Sequence, residues 1–267
     1  MMVSKILGAQ KIMKKLASKD MYKKLVDDNV YFSPESYLNK IEGYLGQRII
    51  KPKTSQNHVG IEIEFIGPDD MYIDLMMTIL DKGLDKNVVL GPDGSINFDE
   101  DSNERGYEIK IIDSEKNILA TLKKVMNILS WYDIYVNESC GLHVHLDGRN
   151  QSKLDMYDKL YNMKQILYRM VPFHRHENVY CLEPLERSYG TGFHTHGIEI
   201  SKHDTVEVRL HYSTLDYNLI AGWIKMLIKI VSTDLSKNNK MWIKTPKFLG
   251  PKITKYVKSQ VKMARAM

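Results

Sequence analysis

The sequence has little means of covalent cross-linking. Its 267 residues include two cysteines, Cys140 and Cys181, with no paired spacing. A disulfide framework is therefore not expected, and a reducing cytoplasm is the natural setting. No apolar run approaches the roughly 18 to 20 residues that span a bilayer. Asp74 and Lys225 interrupt the two most apolar stretches, and no membrane association is expected. Residues 1–17 are basic but lack an apolar segment ahead of a small-residue cleavage site, so they do not read as a secretion signal. Internal repeats and low-complexity tracts are also missing. Acidic residues disappear after Asp234: from residue 237 onward the charged side chains are all Lys or Arg, among them Lys252, Lys255, Lys258 and Lys262. Such a tail is either solvated or a contact for a polyanion.

What is present fits a globular chain. Hydrophobic residues make up 43% and charged residues 27%, with a formal net charge of +5, which suggests neither disorder nor a fibrous class. The chain divides into a Lys-rich helical extension over residues 1–53, a central domain over 54–235 and a basic extension over 236–267. Ser33-Pro34 is a helix start and Lys51-Pro52-Lys53-Thr54 a linker.

Within the central part, residues 58–66 alternate strictly: Val59, Ile61, Ile63 and Phe65 face one way, Gly60, Glu62 and Glu64 the other. That is the pattern of a half-buried strand with both carboxylates on one face. The same period predicts a short strand at Tyr107-Glu108-Ile109 and another over 140–146, which carries His143 and His145 on its polar face. A hairpin is predicted from strands over 197–201 and 205–212, joined by Lys202-His203-Asp204. In its second strand Glu207, Arg209 and His211 oppose Val206, Val208 and Leu210. Helical spacing recurs over 71–84, 118–129, 154–170 and, after Asp216 as a cap, to Val231; the Trp223 helix is core. Gly91-Pro92-Asp93-Gly94-Ser95 reads as a turn. The fold class is α+β, an antiparallel curved sheet with helices packed on one face and polar side chains on the other, uncovered face.

Three strands thus place ionisable residues at i and i+2: Glu62 and Glu64, His143 and His145, Glu207 and Arg209. Singly, each pair reads as a solvated face or a cross-strand ion pair. Together, on strands able to neighbour one another, they describe a cation site, because adjacent carboxylates repel unless a cation lies between them. Carboxylates suit Mg²⁺, whereas an imidazole among them is an unusual ligand for Mg²⁺ and a good one for Mn²⁺.

The motifs Gly60-Ile61-Glu62-Ile63-Glu64-Phe65, Asp93-Gly94-Ser95 leading to Glu108, Cys140-Gly141-Leu142-His143-Val144-His145, and Thr205-Val206-Glu207-Val208-Arg209-Leu210-His211 with Thr214-Leu215-Asp216 resemble the successive motifs of the amidoligase family. That family stands with glutamine synthetase and glutamate–cysteine ligase among the ATP-dependent carboxylate–amine ligases. The resemblance covers about residues 58–235 and implies a glutamine-synthetase-like catalytic domain. It implies that Glu62 and Glu64 divide between two metal ions, with Glu108 joining one site and His143 and Glu207 the other. His145 would lie near the nucleotide phosphates and Arg209 would neutralise the transferred phosphoryl group. The family pattern has a proline shortly after Glu108, where this chain reads Lys110-Ile111-Ile112-Asp113.

Asp93, by position, is a candidate base for the amine proton. Arg175 and Arg187 are candidates for a substrate carboxylate or the nucleotide, since Arg is the usual bidentate partner of both. His174, His176, His194, His196, His203 and His211 read as surface or structural residues. The expected partners are ATP with Mg²⁺ or Mn²⁺, a small-molecule or peptide carboxylate and an amine; a homo-oligomer is left open. Two other readings compete with the ligase. One is a metal-dependent hydrolase using the same residues, the other a non-catalytic binding or assembly protein with basic termini.

Overall fold

The computed structural model describes residues 57–99, 102–147, 150–187, 195–201, 205–234, 242 and 244–267. The expected N-terminal helical extension, its linker, the 202–204 turn and His194 lie outside them. The described residues form six strands: β1 (His58–Pro68), β2 (Val88–Pro92), β3 (Glu104–Ser114), β4 (Gly141–Asp147), β5 (Ile198–Ile200) and β6 (Thr205–Tyr212). They pair antiparallel throughout as one open sheet in the order β2-β3-β1-β4-β6-β5. The helices are α1 (Met71–Asp81), α2 (Ile118–Leu129), α3 (Lys153–Tyr168), the short α4 (Phe173–His176), α5 (Tyr217–Ser232) and α6 (Gly250–Ala264), with a 3₁₀ turn at Lys247–Leu249. No described helix is long and apolar enough to cross a membrane.

The alternation read from the sequence decides which face is covered. Ile61, Ile63, Ile109, Ile111, Leu142, Val144, Val206 and Val208 are buried in one core with the apolar stripes of α1, α2, α3 and α5. Two helix starts follow from local hydrogen bonding: Ser152 accepts from the Asp155 N–H at the head of α3, and Asp216 from the Asn218 N–H, at 2.7 Å, at the head of α5. Beyond residue 235, set apart in the sequence as an extension, the chain returns to the body. The Trp242 N–H donates to Asn162 O at 2.9 Å, Val257 joins the core and the Tyr256 hydroxyl donates to Leu219 O at 3.0 Å. Gly250, at φ 74°, makes the bend into α6 that a side chain would strain.

Three local readings differ. Gly91-Pro92 is not only turn: β2 pairs with β3 and ends on Pro92, an edge position where the missing N–H does no harm. Strand β3 runs well beyond the expected 107–109, along all of β1. His211 does not share a face with Glu207 and Arg209. On β4 the register steps from Leu142 to Val144 while on β6 it steps from His211 to Val208, a β-bulge that inverts the alternation beyond it.

His211 consequently lies against Trp223 of α5, with ring centroids 4.8 Å apart, and its Nδ1 donates to Tyr212 O at 2.7 Å. Burial pushes its pKa down from 6.5 to about 4. The folded state thus resists a proton that the unfolded state accepts. The stability due to the neutral ring is complete above about 6.5 and is lost as pH falls towards 4, by about 3 kcal/mol in all. Urea unfolding between these pH values should show that loss in the parent and not in His211→Asn. Equal slopes in the two would remove this assignment.

Candidate metal centre

The register of four strands gathers residues far apart in sequence onto the face away from the main helices. Glu62 stands between Lys110 of β3 and His143 of β4; Glu64 stands opposite Glu108; His145 stands opposite Glu207. All line one cleft of about 800 Å³ together with Asp93, His174, Arg175 and Arg209. The cleft is not the exposed surface that alternation alone predicts: α4 and the residues following it form one wall, and Glu64, His143 and Glu207 are only 6%, 4% and 2% exposed.

His143 is the centre of the cluster. Its Nδ1 lies 3.2 Å from Glu62 Oε2 and 3.9 Å from Glu207 Oε1, and its Nε2 lies 3.3 Å from Glu64 Oε1. Two triplets each bring one ligand atom per residue within 4.8 Å of one another: Glu62, His143 and Glu207, and Glu64, Glu108 and His143. Glu62 and Glu64 are thereby divided, with Glu108 in one group, Glu207 in the other and His143 in both. Gly141 makes the approach possible. Its N–H donates to Glu64 Oε2 at 2.6 Å, and a Cβ there would meet His143 Nε2 at 2.8 Å.

The electrostatics show how much negative charge is packed here. Burial and the neighbouring Glu62 push the Glu108 carboxyl up to about 9. Burial would raise Glu62 too, but hydrogen bonds from His143 and His145 outweigh it and hold that carboxyl well below its ordinary range. For His145, burial works against protonation, yet the Glu62 hydrogen bond and the charge of Glu207 raise its pKa. Glu207 is held low against burial by His145, His143 and Arg209. A proton on Glu108, the cationic Lys110 and Arg209, and the His145 ring balance the carboxylates, which is work that divalent cations would do instead. Four carboxylates are donors that fit Mg²⁺, and the imidazole shared by both triplets inclines the set towards Mn²⁺.

The remaining candidates fall in different places. Arg209 reaches the cleft, where its guanidinium donates to Glu207 Oε1 at 2.5 Å and to Tyr180 O. His145 lies 3.4 Å from Glu62 Oε1 through Nε2, and its Nδ1 is 3.0 Å from the Thr205 hydroxyl. Asp93 is on the rim, where its Oδ1 accepts from the Ser95 N–H and hydroxyl.

Arg175 lines the cleft but is engaged in holding the backbone: it donates to Arg209 O at 2.8 Å and Leu210 O at 3.4 Å, the residues of the bulge. Arg187 is not brought to the site; it pairs with Asp158 and Asn162 of α3 and lies over the Tyr161 ring. Cys140 is buried with Ile66 and Ile96 in a small second cluster, and burial pushes its thiol up to about 11, so it is no nucleophile.

Two residues of the site escaped sequence reasoning. Lys110 bridges Glu62 at 3.2 Å and Glu108 at 2.5 Å; its signal was Glu108-x-Lys110, a fourth i, i+2 pair. Glu199, opposite Glu207 on β5, is a fifth carboxylate near Arg209. No protein-family model matches the chain, and no curated protein matches it significantly.

Proposed function

We propose that the chain is an ATP-dependent carboxylate–amine ligase of the amidoligase type, using Mg²⁺ or Mn²⁺ in a glutamine-synthetase-like catalytic sheet. The observation that carries this reading is the pair of carboxylate–imidazole triplets sharing His143, with Arg209 beside them in one cleft.

A carboxylate is a poor acyl donor because its leaving oxygen is strongly basic. Transfer of the γ-phosphoryl group of ATP to that oxygen breaks the bond to ADP and forms an acyl phosphate. The amine then attacks the carbonyl carbon and loses a proton, and the C–O bond breaks to release phosphate. Divalent ions held by Glu62, Glu64, Glu108, His143 and Glu207 would supply positive charge to the nucleotide phosphates. Arg209, anchored on Glu207, is the fixed cation for the transferred group, whose charge such preorganised donors stabilise. In this reading His145, whose Nδ1 meets the Thr205 hydroxyl, would serve the nucleotide phosphates, and Asp93 on the rim would take the amine proton.

Calorimetry is expected to show ATP binding that depends on Mg²⁺. A screen of carboxylate and amine pairs for ADP release then identifies the substrates. ATP binding that is absent, or indifferent to the metal, would sink the ligase reading and leave metal-activated hydrolysis by the same residues.

A further inference from the structure

On the other side of the sheet, α2 packs on α5 and α5 on α6. None of these three helices contains an Asp or Glu. Their exposed surface is lysine instead: Lys123 and Lys124 on α2, Lys225 and Lys229 on α5. On α6, Lys252, Lys255, Lys258 and Lys262 recur every three or four residues along the exposed side, while Tyr256 and Val257 face the body. Among the described residues none of these eight lysines has a carboxylate within ion-pair distance. The flanking helices differ, with Asp74 and Asp81 on α1 and Asp155 and Asp158 on α3, so acidic residues border the patch on both sides.

Eight cations that no described carboxylate pairs with are a standing field that attracts a polyanion. Apart from Met263 near the end of α6, the large apolar side chains of α2, α5 and α6 are buried or half-buried against the protein, so these helices lack the broad apolar face that amphipathic membrane helices insert among lipid chains. A nucleic-acid duplex needs none. From Lys252 to Lys262 the α6 stripe runs about 15 Å at ~1.5 Å per residue, a length over which duplex DNA presents roughly nine charges. We propose that this helical face binds the phosphate backbone of a nucleic-acid duplex without reading bases. The binding is independent of the ligase chemistry and lies on the opposite side of the sheet.

The test is fluorescence anisotropy of the full chain on a random-sequence DNA duplex of about 30 base pairs over a salt series. Binding should weaken steeply with salt, the log–log slope gaining roughly −0.9 for each phosphate neutralised, or about −3.6 if half of the eight lysines engage. Lys225→Glu with Lys229→Glu, and separately Lys255→Glu with Lys258→Glu, should each lower affinity roughly tenfold or more near 50 mM salt and flatten the slope. Retained Mn²⁺ binding shows that the variants fold; where a reversal does not fold, the matching Lys→Gln pair carries the comparison. The proposal is overturned if the parent binds no duplex. It is equally overturned if both variants bind like the parent, which would put binding elsewhere in the chain. Binding of phosphatidylserine vesicles in preference to the duplex would transfer the surface to a membrane.

Discussion

His143→Ala should abolish Mn²⁺ binding at both triplets at once, with affinity falling more than about 100-fold, since even outer partners of a metal ligand cost 10- to 100-fold. Glu207→Gln and Glu108→Gln should each weaken one triplet and spare the other, because His143 alone belongs to both. Paramagnetic resonance of bound Mn²⁺ separates these outcomes by stoichiometry. The metal-free His143→Ala protein should also lose about 1 to 3 kcal/mol, because buried carboxylate oxygens lose the imidazole as a hydrogen-bond partner. Glu62, Glu64 and Glu207 would then face one another without the imidazole that now lies within 3.9 Å of all three. Unchanged Mn²⁺ stoichiometry in His143→Ala would refute the shared centre.

Arg175→Leu is expected to destabilise the protein by about 3 kcal/mol or more, because a buried charged hydrogen bond contributes roughly 1.5 to 3 kcal/mol and its loss strands buried carbonyls. The stranded groups are the carbonyl oxygens of Arg209 and Leu210. Arg175→Lys should recover little, since a single ammonium cannot reproduce the guanidinium fork. The site should register the change too. Arg209 is part of the bulge that Arg175 holds and Glu207 lies just before it, so Mn²⁺ affinity should fall in step with stability. Urea unfolding and Mn²⁺ titration of the same variants measure both. A stability loss under about 0.5 kcal/mol, within the range of ordinary surface changes, would mean that the bulge holds itself.

The parts of this fold legible in the sequence are those that depend on one strand or one helix at a time. Alternation placed Glu62 with Glu64 and His143 with His145 because a strand's period is fixed by its own backbone. It failed at His211, where one extra residue in β6 relative to β4 inverted the faces, and nothing in Arg209-Leu210-His211 marks the insertion. Burial of the candidate ligands was also hidden, because the wall that covers them comes from α4 and the residues after it, which carry no periodic signal. The two arginines of that region looked alike in sequence. Tertiary packing separates them, Arg175 turning inward to the bulge and Arg187 outward to α3. Lys110 has no mark of its own in the sequence beyond the Glu108-x-Lys110 spacing, because an exposed strand lysine joins the carboxylates only through the register that sets it opposite Glu62.

The placement of β1 at the middle of the sheet has a kinetic consequence. Glu62 meets His143 across 81 residues of chain, and the Ser213 hydroxyl reaches Glu64 O across 149. Contacts so distant close late, because the loop entropy must be lost before they form. The unfolded chain therefore holds only the local pairs, Glu62 with Glu64 and His143 with His145, and neither triplet. A divalent ion that binds the native cluster should leave the refolding rate nearly unchanged and act on the escape rate, slowing unfolding by whatever it adds to stability.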